Sequence, residues 1–219
     1  MRDRNTPLSA GEIDALAWTK MDGLLPAIVQ DFRSGRILML GYMDRSALAA
    51  SLETGFATFF SRAKMRLWKK GESSGNFLRV QWVFTDCDAD ALLVLAVPQG
   101  PTCHTGTTSC FGEEAFAGPG WLGDLSAIVR ERAGSRDEAS YTRRLLSEGR
   151  ARIAQKVGEE GVEVALAAVS RSAEECAEEL ADLVYHITVL MESLGLDWND
   201  VMLLLKSRHA AASSSTAAS

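Results

Sequence analysis

Between residues 86 and 110 the chain gathers metal-seeking side chains: Asp86-Cys87-Asp88-Ala89-Asp90, then Cys103-His104, then Cys110. Carboxylate oxygens are hard donors that collect Mg²⁺, whereas thiolates are soft donors that select zinc. The aspartates follow directly on the apolar run 80–84, which predicts an extended segment with its three carboxylates on one face and Cys87 on the other. An EF-hand loop is excluded, because Ala91 and Val97 stand where that loop needs Gly and Glu. Three thiolates leave one tetrahedral zinc position for water, the arrangement of a catalytic site. The alternatives are a closed structural site with His104 as fourth ligand, or three unrelated core cysteines. His104 itself reads equally as a general base or as a group supporting the ligands.

A second constellation precedes it. Arg62, Lys64, Arg66, Lys69 and Lys70 form a basic cluster in a chain of net charge −6, followed at once by Gly71-Glu72-Ser73-Ser74-Gly75-Asn76. Small residues with free backbone N–H groups and hydroxyls suit phosphate, although charge runs are commonly solvated faces and Gly/Ser stretches commonly turns. Trp68 is placed either to stack on a base or to fill core. A third constellation lies near the other end. Glu159, Glu160 and Glu163 are spaced i, i+1 and i+4, and Glu179 and Asp182 i, i+3, so two helices packed face to face would assemble a carboxylate site for Mg²⁺ on a polyphosphate. Asp182 sits in the apolar stretch 180–187, where a carboxylate is costly unless paired or on a metal.

Two architectures are needed to hold these groups. Short apolar runs at 25–29, 36–40, 57–60, 77–84 and 91–97 predict strands. One helix interrupts them over 44–54, with Asp44 as N-cap and Gly55 just past its end. The first half is thus α+β, mostly antiparallel strands with one helix. Composition changes over 113–120, and beyond it helical patterns run over 121–133, 141–147, 150–170, 173–194 and 199–209, predicting an all-α bundle. The expected divisions are 1–115, 116–209 and a disordered Ala/Ser/Thr tail over 210–219.

Bulk properties fit this plan. A chain of 219 residues, 47% hydrophobic, can bury one large core or two small ones. Its net charge of −6 argues against coating nucleic acid or an anionic membrane. No run of about 20 apolar residues is present, so the chain reads as cytoplasmic, where cysteines stay reduced and clustered ones bind metal or react. Cys176 reads as a buried helix residue, and His186 as either a core histidine or a partner of the metal ligands.

These residues carry a resemblance. The segments 24–31, 38–43, Ser61-Arg62, 67–76, 86–90 and 100–106 together resemble phosphoribosyl-AMP cyclohydrolase of histidine biosynthesis, over roughly the first half of the chain. The resemblance implies Mg²⁺ on Asp86, Asp88 and Asp90, and Zn²⁺ on Cys87, Cys103 and Cys110, in a homodimer that shares the zinc site between subunits. It also implies that Arg62, Trp68, Lys70, Glu72, Ser73, Ser74, Gly75 and Asn76 bind substrate. Phe60 departs from the family pattern, where Trp is common. The implied reaction adds water to C6 of an adenine ring so that the N1–C6 bond breaks. That carbon is a poor electrophile, and zinc meets the difficulty by lowering the pKa of bound water to around 7, as in zinc deaminases. His104 would move the proton.

The pattern Glu-Glu-x-x-Glu followed by Glu-x-x-Asp resembles the all-α nucleotide pyrophosphohydrolases. More narrowly, Ser140-Tyr141-Thr142, Leu145-Leu146, 155–160 and 181–186 are similar to phosphoribosyl-ATP pyrophosphohydrolase. This implies Mg²⁺ on Glu159, Glu160, Glu163, Glu179 and Asp182, a catalytic role for Glu163, and Lys156 steadying phosphate while water attacks the α–β phosphoanhydride. The expected partners are small phosphorylated nucleotides, with neither nucleic acid nor membrane. Two other readings compete: a nucleotide-binding regulatory module with structural zinc, and a helical half that hydrolyses nucleoside triphosphates generally.

Overall fold

Strand β1 (Leu25–Asp31) buries every second residue, Leu25, Ala27, Val29 and Asp31, as the two-residue period of a strand requires. In the computed structural model it lies inside a sheet of order β2-β1-β6-β5. There β2 (Ile37–Met43) and β1 are antiparallel, β1 and β6 (Leu92–Pro98) are parallel, and β6 and β5 (Leu78–Thr85) are antiparallel. The expected mostly antiparallel α+β unit is present, with one parallel pairing that alternation alone does not reveal. Its helix, α1 (Arg45–Thr54), starts where Asp44 accepts the Ala47 N–H at 2.7 Å and stops at Gly55, whose φ of 73° is left-handed.

A separate hairpin joins β3 (Thr58–Ser61) to β4 (Arg66–Lys69). β4 has no apolar alternation of its own; it becomes a strand by pairing, with Phe59 opposite Trp68 and Phe60 opposite Leu67. Two 3-10 turns, Ala10–Ala15 and Trp18–Met21, precede the sheet. They are anchored by Trp18, which is buried and donates Nε1–H to the Ile13 carbonyl at 2.7 Å.

The segment Asp86–Asp90 differs from expectation. β5 ends at Thr85, and the aspartates occupy a tight loop rather than an extended strand, with Ala89 at φ 61°. Asp86 Oδ1 accepts the backbone N–H of Asp90 (3.0 Å) and of Ala91 (3.2 Å). An aspartate that bonds its own backbone a few residues on competes with the ladder and curls the chain.

The chain divides into two compact units, residues 1–120 and 121–219. The structure describes residues 3–112, 118–137 and 139–216, so the expected division between 115 and 116 lies outside the described residues. The second unit consists of α2 (Trp121–Gly134), α3 (Tyr141–Glu148), α4 (Arg150–Ser170), α5 (Ala173–Leu194) and α6 (Trp198–Thr216). Ser140 and Ser172 cap α3 and α5, and left-handed Gly195 closes α5. Leu125, Val129, Leu145, Ile153 and Val189 form its core. α6 continues past His209 to Thr216, where composition predicted a disordered tail, because consecutive alanines are strong helix formers; residues 217–219 lie outside the described ones. Among the described residues no helix is long and apolar enough to cross a membrane.

Gly41, on β2, faces the Phe59 ring so closely that an added Cβ would lie 2.4 Å from Cδ1. Gly41→Ala should therefore destabilise the first unit by about 1–3 kcal/mol, the usual cost of overpacking a core. Chemical denaturation measures this, and an unchanged midpoint would contradict the close packing.

Candidate metal and nucleotide sites

The curled loop achieves by a different route what an extended strand was expected to do. Asp86, Asp88 and Asp90 each bring one carboxylate oxygen within 4.8 Å of the others. Their repulsion is relieved by Lys20, whose Nζ forms short ion pairs with both Asp88 and Asp90. The hydrogen bond from Lys20 holds Asp88 below the usual carboxylate range, and the two aspartates push the Lys20 ammonium above its own. Lys20 was invisible to the sequence reading, since it lies far along the chain in the second 3-10 turn. An ammonium already seated on two of the three carboxylates is consistent with a cation-accepting donor set.

Cys87 is exposed in the same loop, with Sγ 3.9 Å from Asp88 Oδ1. Cys103 and Cys110 stand on another loop, fixed where Cys110 N–H donates to Leu38 O at 2.8 Å and Ser109 Oγ donates to Ile37 O at 2.7 Å. Among the described residues, no three donors within 4.8 Å of one another include a cysteine. A single chain thus brings Cys103 next to Cys110 without gathering Cys87 into the set. The two thiols differ. Cys103 is pulled down to about 6, first by the Thr105 hydroxyl, which donates to its Sγ at 3.1 Å. Burial pushes Cys110 up, and the neighbouring Cys103 adds to this. A thiolate-ready Cys103 suits a soft metal. His104 Nδ1 lies 3.8 Å from Cys103 Sγ.

The basic and glycine-rich segment meets this loop. A cleft of about 320 Å³ is lined by Trp68, Lys70, Ser73, Ser74 and Asn76 together with Cys103 and His104. Gly71 is required at its base: φ is 91°, and a Cβ would meet the Asn76 carbonyl carbon at 2.6 Å. Gly75, at φ 77°, turns the chain between Ser74 and Asn76. Glu72 is not in this cleft; Arg66 binds it at 2.8 Å and holds its carboxyl below the usual range. Arg62 lies over the Tyr42 ring at 3.9 Å, in a neighbouring groove that also includes Trp68. Trp68 packs half-buried against Phe59, ring centroids 5.7 Å apart, and also lines the cleft.

In the second unit α4 packs along α5, and Glu160, Glu179 and Asp182 each place an oxygen within 4.8 Å of the others. Glu160 is 4% exposed, held by Lys156 Nζ at 2.7 Å and by His186 Nδ1 at 3.5 Å. Glu179 is paired with Arg171 at 2.7 Å. Glu163 borders the triplet: the charge of Glu160, then desolvation, then the charge of Glu179 raise its carboxyl above the ordinary value. Glu159 turns away to Lys156 (3.0 Å), Arg152 (3.5 Å) and Gln155 (2.8 Å). Three carboxylate oxygens within 4.8 Å of one another, one of them on a buried residue, make a hard-donor set of the kind a divalent ion takes. His186 belongs with these groups: Nδ1 donates to the Asp182 carbonyl at 2.9 Å, and Nε2 shares a hydrogen bond with the Tyr141 hydroxyl at 3.0 Å. A wider cleft of about 590 Å³, lined by Ile128, Arg132, Asp137, Ser140 and Tyr141, contains none of the five carboxylates, and its Tyr141 meets His186.

Comparison with known proteins assigns each unit. Residues 39–112 match the family model of phosphoribosyl-AMP cyclohydrolase, and residues 122–209 that of phosphoribosyl-ATP pyrophosphohydrolase. The chain is 55% identical over 204 residues to the histidine biosynthesis bifunctional protein HisIE of Xanthomonas campestris pv. campestris, covering 93% of this chain and 98% of that protein. The chain belongs to the HisIE family. The HisIE protein of Escherichia coli is 54% identical over 196 residues, covering 89% of this chain and 95% of its own, and that of Vibrio parahaemolyticus is 52% identical over 206 residues, covering 91% and 98%. As a HisIE-family member the chain is a bifunctional hydrolase with a cyclohydrolase unit and a pyrophosphohydrolase unit. Enzymes of both kinds are metal-dependent, so the regulatory-module reading falls.

The Cys103 environment gives a measurable pH dependence. In metal-free protein, alkylation of Cys103 should be half-maximal near pH 6, because only the thiolate reacts. Thr105→Val should move the midpoint upward, and peptide mapping should find Cys110 modified only at higher pH. A Cys103 midpoint near the ordinary thiol value of about 8.5 would contradict this geometry.

Proposed function

We propose that the second unit hydrolyses phosphoribosyl-ATP to phosphoribosyl-AMP and pyrophosphate, and that the first unit then opens the adenine ring of that product between N1 and C6, using Zn²⁺ and Mg²⁺. The observation that carries this reading is the convergence of the basic and glycine-rich segment with Cys103 and His104 in one cleft, with a separate carboxylate cluster on α4 and α5. When bound, zinc supplies a water acidic enough to act as hydroxide near neutral pH, and Mg²⁺ neutralises phosphate oxygens.

The chain's own residues do the rest. In the first unit Lys70, Ser73, Ser74 and Asn76, presented by the turns at Gly71 and Gly75, bind the phosphoribosyl group. Trp68 stacks on the base, and Arg62 and Glu72 flank the entrance. His104, beside Cys103, takes the proton from the attacking water and returns it to the departing ring nitrogen. Asp86, Asp88 and Asp90 hold Mg²⁺. Cys103 and Cys110 hold Zn²⁺ with Cys87; because one chain does not gather the three thiols, we assign Cys87 to the zinc site of a second copy in a homodimer. In the second unit Glu160, Glu179 and Asp182, with Glu163 beside them, hold Mg²⁺, and Lys156 steadies a phosphate. Glu163, its carboxyl raised by its neighbours, is the group best suited to accept a proton from water.

Single substitutions should separate the activities. Glu163→Gln is expected to lower pyrophosphate release by roughly 100-fold or more while leaving ring opening within about twofold. His104→Ala should do the reverse with its metals still bound. Steady-state assays with phosphoribosyl-ATP and phosphoribosyl-AMP read both, and loss of both activities together in folded protein would reject the division of labour.

A further inference from the structure

The reading above leaves one charged side chain unexplained. Lys20 is not part of any motif that marks the cyclohydrolase unit, yet its ammonium sits on Asp88 and Asp90, inside the group of oxygens assigned to Mg²⁺. Its position is built rather than incidental. The turn Trp18–Met21 that bears it is pinned at one end by buried Trp18. At the same end it is tied directly to the aspartate loop, where Ala17 N–H donates to Ala89 O at 2.9 Å. Asp22, at φ 51°, stops the turn one residue after Met21. Asp86 is engaged differently: its Oδ1 is committed to the backbone N–H groups of Asp90 and Ala91. Lys20 therefore covers the other two carboxylates of the loop, Asp88 and Asp90.

Resting on the Mg²⁺ assignment, we propose that Lys20 is a built-in counter-ion of the aspartate site, holding Asp88 and Asp90 in place until a divalent cation displaces it. Lys20 and an incoming divalent ion compete for the same carboxylates, Asp88 and Asp90, so the ion gains both of them only where the ammonium withdraws. The Lys20 side chain is 52% exposed, and its flexible stem can swing into solvent without disturbing the core. Displacement subtracts the Lys20 pairing from the affinity of the incoming ion. It also keeps the loop from opening under its own repulsion when no ion is bound.

The test uses the full chain carrying Glu179→Gln and Asp182→Asn, so that carboxylates of the second unit do not report. Mn²⁺ binding is followed by electron paramagnetic resonance, and Lys20 acylation by mass spectrometry. Lys20→Met should bind Mn²⁺ about three- to tenfold tighter, the effect of one unit charge a few ångströms away near water. In the chain that retains Lys20, saturating Mg²⁺ should raise acylation of Lys20 several-fold relative to other lysines. Equal or weaker Mn²⁺ binding by Lys20→Met, or acylation indifferent to Mg²⁺ that does bind, overturns the counter-ion role. If the chain binds no Mn²⁺ that Asp88→Asn removes, the Mg²⁺ assignment itself fails, and the inference with it.

Discussion

Carboxylates within 4.8 Å of one another repel, and each half of this chain is organised around that repulsion. Unit charges about 4 Å apart interact by roughly 1 kcal/mol in water and by several times that near a protein surface, so cations placed beside each cluster offset a substantial cost. The two halves answer differently. The first supplies Lys20 from a 3-10 turn outside the sheet and fixes Asp86 with backbone N–H groups. The second buries Glu160 against Lys156 and His186 and pairs Glu179 with Arg171. What the repulsion leaves over appears at Glu163, whose carboxyl is raised.

The scaffolds behind the clusters differ because their substrates present different problems. Opening an aromatic ring needs base, ribose phosphate and nucleophile arranged together, and the β3–β4 hairpin, its following glycine turns and the Cys103 loop close around one cleft. Cleaving a phosphoanhydride mainly needs charge neutralised along a polyphosphate, and two long helices that present carboxylates at turn spacing do this with little loop structure. The rigid core beneath each site, Trp18 and the sheet in one and Ile153 with Val189 in the other, holds the charges in place.

Much of this was legible in the residues. Periodicity located the strands and helices because each element buries one face, and Asp44 and Gly55 marked the ends of α1 by capping chemistry that is local. The metal-seeking residues were legible by type. Three things were not. β4 is a strand only because β3 pairs with it, so Arg66 to Lys69 read as a charged loop. The aspartate loop curls because Asp86 bonds to backbone beyond it, a choice the alternating pattern does not contain. Lys20 reaches its aspartates through tertiary placement alone, as does the pairing of His186 with Glu160. The inclusion of Glu160 and the outward turn of Glu159 likewise depend on how α4 packs against α5, which helical spacing leaves open.

Family membership and site geometry meet in the claim that one chain performs two successive hydrolyses at two metal sites. Incubating the full chain with phosphoribosyl-ATP, Mg²⁺ and Zn²⁺ while following pyrophosphate and the ring-opened product in the same reaction tests it most directly. The account predicts pyrophosphate first, the ring-opened product after a lag, and loss of both on chelation. Pyrophosphate released as readily from ordinary nucleoside triphosphates, with no ring-opened product from phosphoribosyl-ATP, would contradict it.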